Sequence, residues 1–256
     1  MAIEIYKPET EVILSDGIKE ELNKRTVNLG SFLRKQKRIL CKELAFMPGG
    51  SQVLDYVFLK AVGSVFQCKK YLEIGTYIGE SINIMTECCE ELYSVTAPLE
   101  SPLAGGEWCK ELGIPNHSGR LAYDERITHY YADSRIFNFE NVGMDIDLFF
   151  IDGDHSYEGV YSDTKKIFEV KKADAIVIWH DFRNLDTSYR AEVVNAVRDA
   201  LQDEFRNVYA TNNNLCGIYL PEKYKEEFEL REIKYEEKAP LYTYDCTLDN
   251  CKVFEA

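Results

Sequence analysis

The sequence predicts an α/β fold in which helices cover both faces of a mostly parallel, doubly wound sheet. Short apolar segments alternate with amphipathic segments of helical spacing through the middle of the chain. One apolar segment, Leu148-Phe149-Phe150-Ile151, is continuous, which is typical of a strand covered on both faces. Another runs directly into a glycine-bearing turn and a helix. We therefore expect a seven-stranded sheet whose last two strands form an antiparallel C-terminal hairpin, with additional helices at the N-terminus.

The individual elements follow from local patterns. Charged and apolar residues recur at helical spacing over residues 16–47, which predicts one or two helices before the break at Pro48-Gly49-Gly50. Three asparagines at 212–214 separate the two strands of the hairpin. The predicted strands cover residues 71–74, 92–96, 127–132, 147–151, 175–179, 208–211 and 215–220, and the further helices cover 53–66, the residues from Ser81 onward, 159–170 and 191–205.

The length of 256 residues suits one domain with a single large core. Within it we expect residues 1–50 to form a helical extension that covers the site or makes a dimer contact. Residues 51–221 are expected to form the core, and residues 222–256 a tail that packs on it. Residues 98–116 are rich in glycine and proline, which predicts a long irregular loop, and loops of that length are often functional.

Composition excludes several classes of function. The net charge of −14 disfavours nucleic acid and anionic membrane surfaces as partners, because attraction to phosphate needs concentrated Lys and Arg. The N-terminus lacks the pattern of a signal peptide, and no apolar run approaches the length of a membrane span. Eight cysteines are spread along the chain without paired C-x-x-C motifs, which favours reduced thiols. We therefore expect a cytoplasmic protein.

The turn after the first predicted strand indicates a ligand site. Gly75 and Gly79 allow the backbone to turn tightly and to approach a ligand closely. Their G-x-x-x-G spacing differs from the G-x-G-x-x-G fingerprint of dinucleotide-binding proteins. Glu73, two residues before the first glycine, would repel a diphosphate and suits a cationic, amine-bearing ligand better. A purely structural glycine turn between a strand and a helix is the alternative explanation.

Polar residues also follow the other predicted strands. Ligands of open parallel sheets bind beyond the carboxyl ends of the strands, so such residues converge there. The residues in question are Glu73 after the first strand, Asp133 after the third, Asp152-Gly153-Asp154-His155 after the fourth and His180-Asp181 after the fifth. Capping of the following helices and turns is the alternative role for each of them, and it is the role we expect for Asp154.

Two of these groups have the residue types of a catalytic centre. Asp152, His180 and Asp181 offer two carboxylates and one imidazole, which are ligands for a divalent cation that keeps open positions for a substrate. His155 lies three residues after Asp152, and histidine ordinarily titrates near neutral pH. We therefore expect His155 to act as a general base toward a bound substrate, with Asp152 as a second catalytic residue.

Two sequence motifs give the chain a resemblance to a known family. They are Tyr71-Leu-Glu-Ile-Gly-Thr-Tyr-Ile-Gly-Glu-Ser81, and Phe150-Ile-Asp-Gly-Asp-His-Ser-Tyr-Glu-Gly-Val160 followed by Ile176-Val-Ile-Trp-His-Asp181. With them the chain resembles the class I S-adenosylmethionine-dependent methyltransferases, and among these the small-molecule O-methyltransferases that include macrocin-type sugar and catechol-type enzymes. The resemblance implies a Rossmann-like fold, S-adenosylmethionine as cofactor and O-methylation as the reaction.

The resemblance also implies roles for individual residues. Glu73, Gly75 and Gly79 would hold the methionine and ribose portions of the cofactor, with Thr76, Tyr77 and Ser81 nearby. Asp133 and Ser134 would lie beside the adenine, and Asp152 is expected at the cofactor as well. In metal-dependent members the ligands correspond to Asp152, His180 and Asp181, and the base corresponds to His155.

The chain departs from the family pattern at two positions. His180 replaces the usual carboxylate, so Mg²⁺, a softer divalent ion or no ion at all are open alternatives. No acidic residue follows the second strand at Thr96-Ala97-Pro98, where the family binds the ribose hydroxyls, and Glu100 is a weak substitute. The expected partner is a small-molecule acceptor, by resemblance a sugar hydroxyl in a polysaccharide or natural product precursor. We also expect a homodimer or higher homo-oligomer.

Three other functions stay open on the sequence alone. A metal-independent N-methyltransferase would use the same cofactor pocket. A nicotinamide-dependent dehydrogenase would share the architecture, although the glycine spacing disfavours it. A non-catalytic cofactor-binding protein would keep the pocket without needing His155.

Overall fold

The computed structural model describes residues 12–27, 29–34, 39–41, 44, 50–98, 119, 121–143 and 145–227. Glu100, residues 99–116 of the predicted loop and residues 228–256 of the predicted tail lie outside these ranges. Among the described residues, no helix combines the length and apolar character needed to cross a membrane.

The fold is built on a single eight-stranded sheet with the order β1-β7-β8-β6-β5-β2-β3-β4. All neighbouring strands pair in parallel except β8, which is antiparallel to both β6 and β7. This confirms the predicted doubly wound sheet with an antiparallel C-terminal hairpin. The strands are β1 (Thr26–Val27), β2 (Lys70–Ile74), β3 (Glu91–Thr96), β4 (Ile127–Tyr131), β5 (Leu148–Ile151), β6 (Ile176–Trp179), β7 (Val208–Thr211) and β8 (Gly217–Tyr219).

The eighth strand, β1, is absent from the sequence-based prediction, because two residues are too short to show any periodicity. It pairs in parallel with β7 at the edge of the sheet, where Thr26 lies opposite Ala210. The N-terminal extension therefore contributes to the sheet as well as supplying helices. The described helices are α1 (Asp16–Lys24), α2 (Leu29–Arg34), α3 (Val53–Val65), α4 (Glu80–Met85), α5 (Tyr157–Val170) and α6 (Ala191–Leu201).

Two hydrophobic cores lie on opposite faces of the sheet. Because side chains alternate along a strand, Leu148 and Phe150 of β5 enter one core while Phe149 and Ile151 enter the other. Helices α2, α3 and α4 supply the first core, and α5 and α6 supply the second. A strand buried on both faces needs the continuous apolar sequence seen in β5.

The helices that follow the strands start at defined caps. The Ser156 hydroxyl accepts a hydrogen bond from the Gly159 backbone N–H at 3.1 Å, so α5 begins at Tyr157, two residues earlier than predicted. Helix α3 begins with a capping box in which the Asp55 carboxylate accepts from the Gln52 backbone N–H at 2.6 Å. These two caps fix the positions of residues that border the site described next.

Candidate functional site

The site lies at the carboxyl ends of β2, β5 and β6. Strand β2 has β3 on one side and β5 on the other, so the chain winds away from it in both directions. In sheets of this type the crevice at such a reversal point is where ligands bind. The predicted site residues that follow β2, β5 and β6 therefore lie together at the carboxyl ends of these central strands.

The glycine turn after β2 has a backbone that only glycine adopts without strain. Gly75 and Gly79 have φ angles of +87° and +94°, in the left-handed region. A β-carbon on Gly75 would lie 2.1 Å from the carbonyl oxygen of Asp152, and one on Gly79 would lie 2.7 Å from the Ala122 side chain. The turn after β2 is thus in direct backbone contact with the end of β5.

Glu73 is fully buried at the end of β2. Its Oε2 atom accepts hydrogen bonds from the Ser81 hydroxyl at 2.7 Å and from the Tyr71 hydroxyl at 2.9 Å. Its Oε1 atom is buried and has no hydrogen-bond partner among the described residues. Burial raises the pKa of Glu73 to about 7 in spite of the hydrogen bonds. One carboxyl oxygen is therefore left for a donor that the protein itself does not supply.

Thr76 and Tyr77 complete the turn. Thr76 is buried, and its hydroxyl hydrogen-bonds with that of Ser94 on β3, which ties the turn to the neighbouring strand. Tyr77 has a φ of +46°, an uncommon value for a bulky residue and a sign that the surrounding structure holds the turn in place. The predicted cofactor residues from Glu73 to Ser81 are thus collected in one rigid segment.

Asp133 and Ser134 lie just beyond β4. The Asp133 carboxylate accepts from Arg135 Nε at 2.9 Å and from Arg135 Nη2 at 2.7 Å, and this pairing lowers its pKa. Ser134 contacts the buried carboxyl group of Asp163 on α5. Strands β2 and β3 lie between β4 and β5, so Asp133 and Ser134 lie apart from His155 and His180.

His180 is buried at the end of β6 between two carboxylates. Its Nδ1 lies 3.1 Å from Asp152 Oδ1, and its Nε2 lies 3.1 Å from Asp55 Oδ2. The contact of Nε2 with Asp55 is a hydrogen bond, and because an ionised carboxylate only accepts, Nε2 is the donor. Burial by itself would lower the pKa of His180, but Asp152 and Asp55 outweigh it and raise that pKa well above its usual value.

Asp55 is a site residue that the sequence analysis missed. It is 2% exposed, and besides His180 and Gln52 it accepts a hydrogen bond from the Leu215 backbone N–H at 2.7 Å. It therefore joins the start of α3, the end of β6 and the β7–β8 hairpin. The capping pattern Gln52-x-x-Asp55 was visible in the sequence, but no local signal pairs Asp55 with a histidine 125 residues away.

His155 and Asp181 form a second histidine–carboxylate pair at the open side of the site. His155 Nε2 lies 3.3 Å from Asp181 Oδ2, and the His155 side chain is 36% exposed. Asp181 Oδ2 also accepts from Arg190 Nη1 at 2.7 Å, and the Asp181 backbone has a φ of +53°. Arg190, just before α6, is the second residue that the sequence analysis missed. Asp154 caps the following turn as expected, accepting from the Ser156 backbone N–H at 2.9 Å.

Three side chains of this group are close enough to share a divalent cation. Atoms of Asp152, His155 and Asp181 lie within 4.8 Å of one another. The predicted ligand His180 is hydrogen-bonded through Nε2 with Asp55, and its Nδ1 faces Asp152 at 3.1 Å. The three carboxylates of Asp55, Asp152 and Asp181 are faced by two basic side chains, His180 and Arg190, so their negative charge is only partly neutralised.

S-adenosylmethionine fits the other half of the site. The unpartnered Glu73 oxygen can accept from a donor such as an ammonium group, and the two glycines let the turn pack closely against Asp152 and Ala122. Both features lie on the segment that the sequence predicts for the methionine and ribose portions.

Comparison with known proteins agrees with this geometry. Residues 72–182, which include β2, β5, β6 and the polar residues at their ends, match a family model described as a methyltransferase domain. Over these residues the predicted resemblance to methyltransferases is confirmed. No curated protein sequence matches the chain.

Solved structures are similar to this chain at low identity. A methyltransferase from Podospora anserina bound to S-adenosylhomocysteine has 15% identity, covers 83% of this chain and 100% of its own, and gives a TM-score of 0.47. The TDP-rhamnose 3'-O-methyltransferase CalS11 of calicheamicin biosynthesis has 12% identity. The match covers 75% of this chain and 93% of CalS11, with a TM-score of 0.45. The YcgJ protein of Bacillus subtilis has 15% identity. The match covers 47% of this chain and 48% of YcgJ, with a TM-score of 0.33, so the chain spans about half the length of YcgJ.

Proposed function

We propose that this methyltransferase transfers the methyl group of S-adenosylmethionine to a hydroxyl group of a small molecule. One observation carries the proposal: the backbone of Gly75, in the cofactor turn, lies against the carbonyl of Asp152, next to the histidine–carboxylate pairs. A cofactor in the turn and an acceptor at His155 would therefore be neighbours. Alignment of the two reactants is the main contribution such a site makes to the rate.

The cofactor half consists of the residues at the ends of β2, β4 and β5. S-adenosylmethionine, when bound, supplies a methyl group on a sulfonium as the electrophile. Glu73 orients Ser81 and keeps one oxygen for a donor, while Gly75 and Gly79 hold the turn against Asp152 and Ala122. The complete set that we propose for the cofactor is Glu73, Gly75, Thr76, Tyr77, Gly79, Ser81, Asp133, Ser134 and Asp152.

The acceptor half is formed by His155 and Asp181. If His155 Nε2 donates its proton to Asp181, its Nδ1 atom holds the lone pair that accepts the proton of the acceptor hydroxyl. Arg190 holds the Asp181 carboxylate from its other side, so the orientation of the imidazole is fixed. As the hydroxyl oxygen loses its proton to His155, it becomes the nucleophile for the methyl group.

A sugar hydroxyl is the acceptor that we propose to test first. We prefer a sugar hydroxyl as the acceptor because of the sequence resemblance to macrocin-type enzymes. An amine acceptor can lose its proton to water after transfer, so N-methylation would depend far less on His155. The identity of the acceptor and the role of His155 are therefore tested together.

The experiment has two parts. Calorimetry with S-adenosylhomocysteine measures the cofactor half alone, and we expect binding by the wild type. A panel of nucleotide sugars, catechols and primary amines is then assayed for release of S-adenosylhomocysteine. Methylation of a hydroxyl with a strong dependence on His155 supports the proposal. Methylation of amines only, or binding without any transfer, supports one of the two alternatives.

A further inference from the structure

We propose that Asp163 positions the adenosine end of the cofactor by holding Ser134. The inference rests on the proposed function, which includes Ser134 among the cofactor residues. Asp163 lies within α5, outside the two sequence motifs that carry the family resemblance, so the resemblance gives it no role. We assign Asp163 no contact with the reacting atoms, because it acts through Ser134.

The two ends of the cofactor are expected over different strands. S-adenosylmethionine carries an ammonium group at one end and adenosine at the other, and the methyl-bearing sulfur lies between them. The ammonium group would lie at Glu73 on β2, and the methyl group would face His155 beyond β5. Since β5 and β3 flank β2 on opposite sides, the adenosine end extends across β3 toward β4. Ser134, just beyond β4, is therefore on the side where adenosine is expected.

Asp163 is a buried residue that contacts the turns after two different strands. It is 1% exposed, and its carboxyl group accepts a hydrogen bond from the Ser134 hydroxyl. Its Oδ2 atom would lie 3.5 Å from a β-carbon on Gly153, so the same carboxyl group also borders the turn after β5. Strands β2 and β3 lie between β4 and β5 in the sheet. One buried side chain thus connects two turns whose strands are not neighbours.

The two other carboxylates near Asp163 are engaged with different partners. Asp133 accepts from Arg135 Nε at 2.9 Å and from Arg135 Nη2 at 2.7 Å. Asp154 caps the turn that leads into α5. Asp163 is therefore the carboxyl group that holds the Ser134 hydroxyl.

One oxygen of Asp163 has no partner. Oδ1 is buried and lacks a hydrogen-bond partner among the described residues. A buried carboxyl group with an unused oxygen lowers stability, and an apolar residue of similar shape would avoid that cost. The fold therefore does not require a carboxyl group at this position, whereas an acceptor here keeps the Ser134 hydroxyl in one orientation. A role in placing Ser134 accounts for both observations.

A double-mutant cycle on the affinity for S-adenosylhomocysteine tests the inference. Calorimetry with the full chain compares the wild type, Asp163→Ala, Ser134→Ala and the double variant. We expect each single variant to bind about fivefold more weakly, the usual effect of one hydrogen bond, and the double variant to bind no more weakly than Asp163→Ala. Asp163→Asn keeps an oxygen acceptor for Ser134 and should bind within about twofold of the wild type. Losses that multiply in the double variant overturn the inference.

Thr164→Val is the matched control, one position further along α5. Thr164 is buried, and its hydroxyl accepts from Trp179 Nε1 at 2.9 Å, so the variant removes a buried hydrogen bond that does not involve Ser134. We expect its affinity for S-adenosylhomocysteine to stay within about twofold of the wild type. Equal losses in Thr164→Val and Asp163→Ala overturn the inference, because a general loosening of α5 would explain both. Asp163→Leu, which is close in shape, takes the place of Asp163→Ala in the cycle if that variant does not fold.

Methylthioadenosine supplies a second readout, because it has the adenosine end of the cofactor and lacks the ammonium group. Asp163→Ala should weaken both ligands by the same factor, whereas Glu73→Gln should weaken S-adenosylhomocysteine only. A loss in Asp163→Ala that is confined to S-adenosylhomocysteine overturns the inference. A wild type that binds neither ligand overturns it together with the proposed cofactor. An intact cycle without transfer to any acceptor supports the inference and contradicts only the proposed reaction.

Discussion

His155 Nε2 lies 3.3 Å from Asp181 Oδ2, at the open side of a site whose other histidine, His180, is buried between the carboxylates of Asp55 and Asp152. The two histidines therefore have different chemistry available. His180 is buried with its two ring nitrogens facing Asp55 and Asp152, whereas the His155 side chain is 36% exposed and can reach a ligand. This difference makes His155 the residue whose removal should affect the reaction most directly.

Replacing His155 with Ala should lower kcat by about 100-fold or more, because general base catalysis typically contributes a factor of that size. Affinity for S-adenosylhomocysteine should stay within about twofold of the wild type, since the cofactor turn lies on β2. Steady-state kinetics and calorimetry measure the two quantities. Glu158→Gln, at an exposed position at the start of α5, is the control and should leave both unchanged. A normal kcat in His155→Ala would remove His155 from the mechanism.

Replacing Gly75 with Ala should abolish cofactor binding and destabilise the fold. The new β-carbon would lie 2.1 Å from the Asp152 carbonyl, on a backbone with a φ of +87°. We expect a loss of about 2 kcal/mol or more in the free energy of unfolding. Gly17→Ala is the matched control, because nothing lies within 4 Å of a β-carbon there and Gly17 is in α1. It should be neutral or stabilising by up to about 1 kcal/mol. Urea denaturation and calorimetry would show equal effects of the two changes if the close contact were unimportant.

The sequence predicted much of this site because its residues follow strands. Apolar runs define strand ends, so their pattern alone places Asp152, His155 and Asp181 at one edge of the sheet. The partners that decide what those residues do were not predictable. Asp55 and Arg190 reach the site from helices or loops, and hydrogen bonds over long sequence separations leave no periodic signal. The sequence-based prediction for His180 named its neighbours Asp152 and Asp181 but not Asp55, which hydrogen-bonds with the other ring nitrogen, Nε2.

Replacing Asp55 with Ala should destabilise the protein by about 3–5 kcal/mol, the usual result of removing one partner of a buried ion pair. His180 would lose one of its two carboxylates, and the Leu215 and Gln52 backbone N–H groups would lose their acceptor. Asp186→Ala is the control at an exposed carboxylate and should have little effect. The measurement is the urea dependence of unfolding. Equal stability of the two variants would show that Asp55 does not hold His180 in solution.

Asp163 should make stability depend on pH. Burial raises the pKa of Asp163 from 3.8 to about 7, with Ser134, Asp133, Asp154 and Lys166 as its other neighbours. A raised carboxyl pKa means that the folded state holds the proton more tightly. The stabilising contribution is complete below about pH 4 and is lost as the pH rises to about 7.

Replacing Asp163 with Asn removes this titration. The variant should therefore gain stability relative to the wild type between about pH 4 and pH 7, by at most about 1.4 kcal/mol per pH unit, and the difference should level off above that range. Urea unfolding at a series of pH values measures it. Asp186→Asn is the control, because the Ser188 hydroxyl and backbone N–H lower the pKa of Asp186. Its difference from the wild type should not change between about pH 5 and pH 8. A constant difference for Asp163→Asn over the same range would mean that Asp163 is ionised throughout.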